Sequence, residues 1–316
     1  MRVTTSRAVL AVGIAILVTA GCEGEPPNAP ALTTAGTEGE VLLRATTPPV
    51  TGEPAFTLKT DAPDIEWGPC PGWMPEGCEL AVIQALDPDG LNADAFFKME
   101  PGTTVPEHWH TSAERMVLLS GTMQVDYHDQ DPVTLTPGTY AYGPAKLPHE
   151  THCQGGEGDD PCILFIGFEE PVDAIEGQPD EIPADPPAFT WTAHDPGIEW
   201  GPCPEWMPEG CELAVIQALD PAGRNADALF RLEPSSTVPM HWHTSAERMV
   251  LLSGELRVNY QGQRPALMDP FTYAYGPAEL AHETRCGDAG VCILFIAFEE
   301  PVDAIDIRGG DLPQRP

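Results

Sequence analysis

Two histidines flanking one residue, then a glutamate, then a third histidine are side chains of the kind that hold a divalent metal. They occur as His108-Trp109-His110, Glu114 and His149, and the set returns as His241-Trp242-His243, Glu247 and His282. On a β-strand, residues i and i+2 project from one face, so His108 and His110 point one way and Trp109 the other. Glu114 follows at a distance that lets the chain turn and present its carboxylate from the next strand. Three imidazoles and a carboxylate converging inside a barrel form a site for a first-row divalent ion, with room for water or substrate. A lone His-x-His is more often surface decoration. Here six of the nine histidines fall at matched positions, although two copies of common ancestry are not independent witnesses.

Around these residues, Phe97, Met116, Tyr140 and Tyr142, with Phe230, Met249, Tyr273 and Tyr275 in the second copy, are expected to line a pocket, core packing being their competing role. Arg115 and Arg248 adjoin the glutamates and are expected to point away from the metal, as structural ion-pair partners. His152 lies at an odd strand offset from His149 and is replaced by Arg285 in the second copy, so it is read as peripheral.

The elements that must position this set are short. Ala95-Phe96-Phe97, Met116 to Leu119, Val133 to Leu135 and Ile163 to Ile166 are apolar runs separated by Gly- and Pro-containing turns, and helical periodicity is nowhere sustained. That pattern means an all-β sandwich or barrel, with a tight turn at Ser120-Gly121. The chain repeats itself: Ile65 to Cys70 returns as Ile198 to Cys203, Cys78 to Gln84 as Cys211 to Gln217, and both copies finish Phe-Glu-Glu-Pro-Val-Asp-Ala-Ile. The unit has the size of a small autonomous domain, roughly 100–150 residues, and is too long for a solenoid repeat. The expected organisation is a signal segment at 1–21, a tether at 22–53, one domain at 54–175, a Pro- and Asp-rich linker at 176–186, a second domain at 187–305 and a tail at 306–316.

The run Gly102-x5-His108-x-His110-x3-Glu114-x6-Gly121 resembles the first signature of the cupin superfamily, and Pro137-Gly138 to His149 resembles the second. In the second copy Ser235 stands where the first glycine belongs, which affects a turn and not a ligand. The resemblance implies a bicupin: two tandem jelly-roll β-barrels, each holding a divalent transition metal (Fe, Mn, Cu, Zn or Ni) through His108, His110, Glu114 and His149 or through His241, His243, Glu247 and His282. Among cupins the chain resembles small bacterial domains of the anti-sigma-factor type.

Of nine cysteines, four fall in each copy and Cys22 stands alone. An even number per domain in an exported chain reads as disulfides. Local pairs, Cys70–Cys78 and Cys153–Cys162 with Cys203–Cys211 and Cys286–Cys292, would each staple a Pro- or Gly-containing loop; the other two connectivities stay open. Zinc is the competing reading, but closely spaced Cys-x-x-Cys pairs are absent. Arg2, Arg7, an apolar run too short for the roughly 20 residues of a membrane span, and Ala20-Gly21-Cys22 read as an export signal ending in a lipidated cysteine. The protein is therefore expected outside the cytoplasm, anchored in the periplasm or on the cell surface, with plain secretion as the alternative. From Glu23 to Pro54 the composition is that of a flexible tether.

A net charge of -34, from 49 acidic and 15 basic residues, repels phosphate backbones and anionic membrane surfaces, so no nucleic acid partner is expected, a membrane is met through the lipid anchor only, and oxalate-like anions are disfavoured. Two functions stay open. One, implied by the cupin resemblance, is a metal-dependent oxidoreductase of the dioxygenase type acting on a small neutral or cationic molecule. The other is a non-catalytic binding or sensing module. Fusion of two copies also supplies in one chain the partner that single cupins find by dimerising, so a monomer is expected, with a homodimer as the alternative.

Overall fold

Strands rich in Val, Ile, Phe and Tyr pair here entirely antiparallel, and each of two barrels consists of a seven-stranded and a five-stranded sheet. The computed structural model describes residues 54–85, 92–219 and 222–307. The expected signal, Cys22, the tether up to residue 53 and most of the tail lie outside the described residues. In the first barrel the large sheet runs, in spatial order, Phe189–Trp191 (β13), Tyr140–Gly143 (β9), Glu114–Ser120 (β6), Cys162–Phe168 (β11), Ala93–Met99 (β4), Glu79–Ala85 (β3) and Gly68–Pro69 (β2). The small sheet runs Ile175–Glu176 (β12), Thr104–Trp109 (β5), His149–Cys153 (β10), Met123–Tyr127 (β7) and Val133–Leu135 (β8).

The second barrel repeats the arrangement. Its large sheet is Phe56–Leu58 (β1), Tyr273–Gly276 (β21), Glu247–Ser253 (β18), Cys292–Phe298 (β23), Ala226–Leu232 (β16), Glu212–Ala218 (β15) and Gly201–Pro202 (β14). Its small sheet is Ala266–Met268 (β20), Leu256–Tyr260 (β19), His282–Cys286 (β22), Thr237–Trp242 (β17) and Ile305–Asp306 (β24).

The leading strands are exchanged. β1, the start of the first repeat, pairs with β21 of the second barrel, while β13 pairs with β9 of the first. A domain boundary at residue 54 or 187 therefore follows the repeat in sequence and not the sheet in space. Two further boundaries move as well: Glu176, expected in the linker, pairs with His108, and Asp306, expected in the tail, pairs with His241.

The large sheets are buried on both faces, which is why β4, β6 and β11 read as near-continuous apolar runs. Their inward residues Phe97, Met99, Met116, Leu118, Leu164 and Ile166 form the core of the first barrel. Outward residues Phe96, Val117, Leu119, Tyr140, Ile163 and Phe165 form a shared core with Leu229, Val250, Tyr273 and Phe295 of the second barrel. There Tyr140 stacks on Phe295 at 5.3 Å and Phe165 on Tyr273 at 5.5 Å. β7 has the other pattern, Met123, Val125 and Tyr127 inward with Gln124 and Asp126 half-exposed.

At Ser120-Gly121 the chain leaves the large sheet for the small one. Gly121 has φ +77°, and a Cβ there would lie 2.9 Å from the Cys162 Cα, so glycine alone makes this corner without displacing backbone. Four local disulfides, Cys70–Cys78, Cys153–Cys162, Cys203–Cys211 and Cys286–Cys292, close loops at the barrel ends.

Candidate metal centre

Each centre forms where the two sheets of one barrel face each other. Antiparallel pairing of β5 with β10 sets His149 opposite His108, and His110 follows directly after β5. Glu114 opens β6 in the facing sheet. His108, His110, Glu114 and His149 are all buried, at most 7 % exposed. The three rings stand 5.1, 4.2 and 5.4 Å apart between centroids, and one nitrogen of each lies within 4.8 Å of those of the other two. The second barrel brings His241, His243 and His282 together with spacings of 5.0, 4.2 and 5.3 Å.

Backbone carbonyls decide which ring nitrogen is free. His108 Nδ1–H donates to Pro106 O at 2.8 Å, His149 Nδ1–H to Leu147 O at 3.1 Å, and His110 Nδ1–H to Asp173 O. A carbonyl only accepts, so in each neutral ring the Nε2 carries the lone pair. Glu114 faces these lone pairs, Oε1 lying 3.0 Å from His110 Nε2 and Oε2 3.2 Å from His149 Nε2. The His110 and His243 Nε2 atoms are buried with no well-formed hydrogen bond. Acceptors this close, with no donor among them, need a cation in their midst, supplied by a metal or by a captured proton. The donor set fits a divalent metal.

Electrostatics point the same way. Burial, reinforced by the neighbouring His149 and His110 rings, holds His108 down at about 2, so it stays a neutral ligand. For Glu114 burial would push the carboxyl up, but His110 and His149 outweigh it and hold the group at about 2. Burial likewise works against protonation of His110, yet the Glu114 carboxylate raises it overall. Metal uptake replaces that bound proton, so binding is linked to proton release.

Gly143 on β9 shows how closely Glu114 is held. A Cβ there would lie 3.0 Å from Glu114 Oε2 and 3.2 Å from the Tyr127 ring. Gly143→Ala is expected to leave the barrel folded and to weaken metal binding about tenfold, in the range of lost outer-shell support, as read by competition with a chelator.

Beyond these groups each barrel opens a cavity of about 110 Å³. Phe97 and Met116 line it in the first barrel, with Met74, Leu164, Ile166 and Phe168, and Phe230 and Met249 line the second. Tyr140, Tyr142, Tyr273 and Tyr275, expected at the pocket, pack instead in the shared core between the barrels. The register explains this. Tyr142 is opposite Arg115 and Tyr140 opposite Val117, so both tyrosines share the face that turns away from Glu114 and Met116. Arg115 does point away from the histidines, pairing with Glu169 at 2.9 Å and with Asp227 of the second barrel at 3.2 Å. His152 is bonded to Thr104 and not to the cluster.

Three residues that the motifs do not contain belong to each centre. The Asp173 carbonyl fixes His110, and its carboxylate accepts from the Thr111 N–H at 3.1 Å. Trp73 lies 5.6 Å from the His108 ring. Tyr127 lies 5.5 Å from His149, and its buried hydroxyl makes no hydrogen bond. Asp303, Trp206 and Tyr260 occupy the same places in the second barrel. Their exact recurrence across both repeats was the available signal.

Comparison with known proteins comes down to the two repeats. The cupin domain family matches residues 95–166, and the ChrR Cupin-like domain family matches residues 190–300. Among curated proteins none matches the chain. Of solved structures, oxalate decarboxylase from Lactobacillus farciminis in its formate complex is 14% identical, with TM-score 0.55 over 82% of this chain and 91% of that one. Oxalate decarboxylase from Bacillus subtilis at pH 4.6 is 15% identical, with TM-score 0.52 over 79% and 78%. A study of the Mn(II) centres of the Bacillus subtilis enzyme gives a further match, 16% identical with TM-score 0.50 over 79% and 78%. At these identities the likeness is one of fold.

Proposed function

This chain is a tandem bicupin of the cupin superfamily with a metal-binding site in each barrel, and we propose that it is a metal-dependent oxidoreductase of the dioxygenase type. Its substrate on this reading is a small neutral or cationic molecule met outside the cytoplasm, where the protein is held by a lipid on Cys22. One observation carries the proposal: three imidazoles and a carboxylate, with the buried His110 Nε2 left unpaired, converge on the wall of a largely apolar cavity.

His108, His110, His149 and Glu114 would hold the ion, which when bound would supply Lewis-acid and redox chemistry to a ligand in the cavity. The chain's own contribution is to keep His108 and His149 neutral, fix the ring tautomers through carbonyls, and exclude bulk water with Phe97, Met116 and Phe168. Among Fe, Mn, Cu, Zn and Ni, manganese is the favoured ion, because the matched oxalate decarboxylase carries Mn(II) centres. Oxalate itself is disfavoured. Among the described residues no Lys or Arg lines either cavity, and Asp173 and Asp303 add further negative charge at the lining.

One observation favours the second reading, a metal-organised binding or sensing module. Asp173 is the acidic lining residue beyond Glu114, and its carboxylate already accepts from the Thr111 N–H. No other free acid or base lines the first cavity among the described residues.

Elemental analysis of the purified protein, followed by oxygen-electrode screening against small neutral compounds and amines, separates the readings. Two ions per chain with oxygen uptake supports the oxidoreductase. Two ions with ligand-induced spectral change but no turnover supports the binding module. No metal after challenge with Mn(II), Fe(II), Cu(II), Ni(II) and Zn(II) overturns both.

A further inference from the structure

The nine-residue segments Cys70-Pro-Gly-Trp-Met-Pro-Glu-Gly-Cys78 and Cys203-Pro-Glu-Trp-Met-Pro-Glu-Gly-Cys211 differ at one position and occupy the same place over each centre. β2 and β3 form the neck of the first loop, where Cys70 N–H donates to Cys78 O at 3.3 Å and a disulfide joins the two residues. Inside the loop, Met74 N–H donates to Pro71 O at 2.9 Å and Cys78 N–H to Pro75 O at 3.2 Å. Two prolines, two internal turns and a covalent neck leave little conformational freedom. The loop turns two side chains toward the metal centre. Trp73 packs on His108, and Met74 enters the cavity with its Sδ against Cys78 Sγ at 3.8 Å. Trp206 and Met207 do the same in the second barrel, at 5.5 Å from His241 and 3.8 Å from Cys211.

From this we infer that the disulfide-stapled loop is the specificity wall of each barrel, with Met74 and Met207 setting the size of the uncharged ligand that reaches the metal centre. The inference rests on the reading of the histidine clusters as metal sites and goes beyond it by assigning selectivity to residues that hold no metal. The cavity of about 110 Å³ is well below the roughly 300–1,000 Å³ of sites for drug-sized molecules. Of the other walls, Phe97, Met116 and Phe168 belong to paired strands of the large sheet and cannot retreat. Outside the strands and the metal ligands the wall is Met74 with Cys70 and Pro71 on the stapled loop, and Val172, Asp173 and Ala174 between β11 and β12, where Asp173 is tied to His110 and Thr111; Met74 is the long unbranched side chain among them. Because the loop is stapled, Met74 limits a ligand as a fixed wall and not as a mobile flap. The near-identity of the two loops further assigns both barrels the same ligand class.

The test uses the full chain loaded with cobalt(II), whose ligand-field spectrum reports on whatever enters beside it, and two uncharged probes at pH 8, imidazole and 4-phenylimidazole. Imidazole is expected to bind the native protein and Met74→Ala alike. 4-Phenylimidazole is expected to bind Met74→Ala at least about tenfold more tightly, the scale on which pocket methylenes discriminate. The tighter phase should involve half the cobalt in Met74→Ala and all of it in Met74→Ala/Met207→Ala. Cys70→Ser/Cys78→Ser frees the wall without emptying it and is expected to shift the larger probe in the same direction. Equal affinity for 4-phenylimidazole in all four proteins, with both cobalt ions in place, overturns the inference and leaves the metal sites standing. No cobalt uptake by the native chain overturns the metal sites and the inference together. Met74→Val, a smaller truncation, replaces Met74→Ala if the alanine variant does not fold.

Discussion

Replacing His108 by alanine is expected to leave one metal ion per chain where the native protein holds two, with the second barrel unaffected. His241→Ala is expected to mirror it, and the double variant to bind none. The expectation follows from local geometry. His108 comes from β5, His110 directly follows it, His149 comes from β10 and Glu114 from β6, none of which is shared with the second centre. Loss of a support behind a ligand costs about 10–100-fold in affinity, so loss of the ligand itself should exceed about 100-fold. Because a ligand that binds only the folded state stabilises it by about 2.7 kcal/mol at one hundred times its Kd, the metal-free barrel should also lose its metal-dependent rise in melting temperature. Elemental analysis after dialysis and calorimetry with and without added metal read the two effects separately. Loss of both ions from the single variant would mean that the centres depend on each other.

The metal centre was the most legible part of the molecule because its residues obey a rule of local geometry. At the end of β5 the i, i+2 rule puts His108 and the residue just past the strand, His110, on one face, and Gly121 marks the corner because its φ of +77° excludes side chains. The pocket walls were half legible. Phe97 and Met116 lie where expected, but Tyr140 and Tyr142 do not. A strand buried on both faces reads as apolar throughout, and alternation tells that there are two faces without telling which one meets a core and which meets another barrel. Only the register of β9 against β6 decides that, and register is a long-range property. The exchange of β1 and β13 was invisible for another reason. Both repeats begin with Pro-Ala-Phe-Thr, so either strand fits either sheet in sequence terms. Asp173 escaped notice because it acts on His110 through its main-chain carbonyl, an atom every residue possesses.

Arg115→Met is expected to destabilise the whole folded unit by about 3–5 kcal/mol, the cost of breaking a buried ion pair from one side. Arg115 lies in the first barrel and Asp227 in the second, both 0 % exposed, joined at 3.2 Å, while Tyr140 O–H donates to the other Asp227 oxygen at 2.6 Å. The mirrored set is Arg248, Asp94 and Tyr273, at 2.9 and 2.7 Å. With Glu169 and Glu299, two guanidiniums serve four carboxyls. Removing an arginine therefore strands more charge than removing an acid, and Asp227→Asn, which leaves Arg115 its Glu169, should cost less. Burial already raises the Asp227 and Glu169 carboxyls, with the Arg115 charge opposing the rise. Without Arg115 both should rise further. A carboxyl raised in the folded state stabilises it fully below the unfolded value near 4 and loses that contribution as pH increases through the folded value. Arg115→Met should accordingly lose stability more steeply than the native protein between about pH 5 and pH 8. Urea unfolding at both pH values, followed by tryptophan fluorescence, measures this. A single transition shifted as a whole would show that the two barrels, sharing a core and exchanging strands, fold as one unit; two separated transitions would show that they do not.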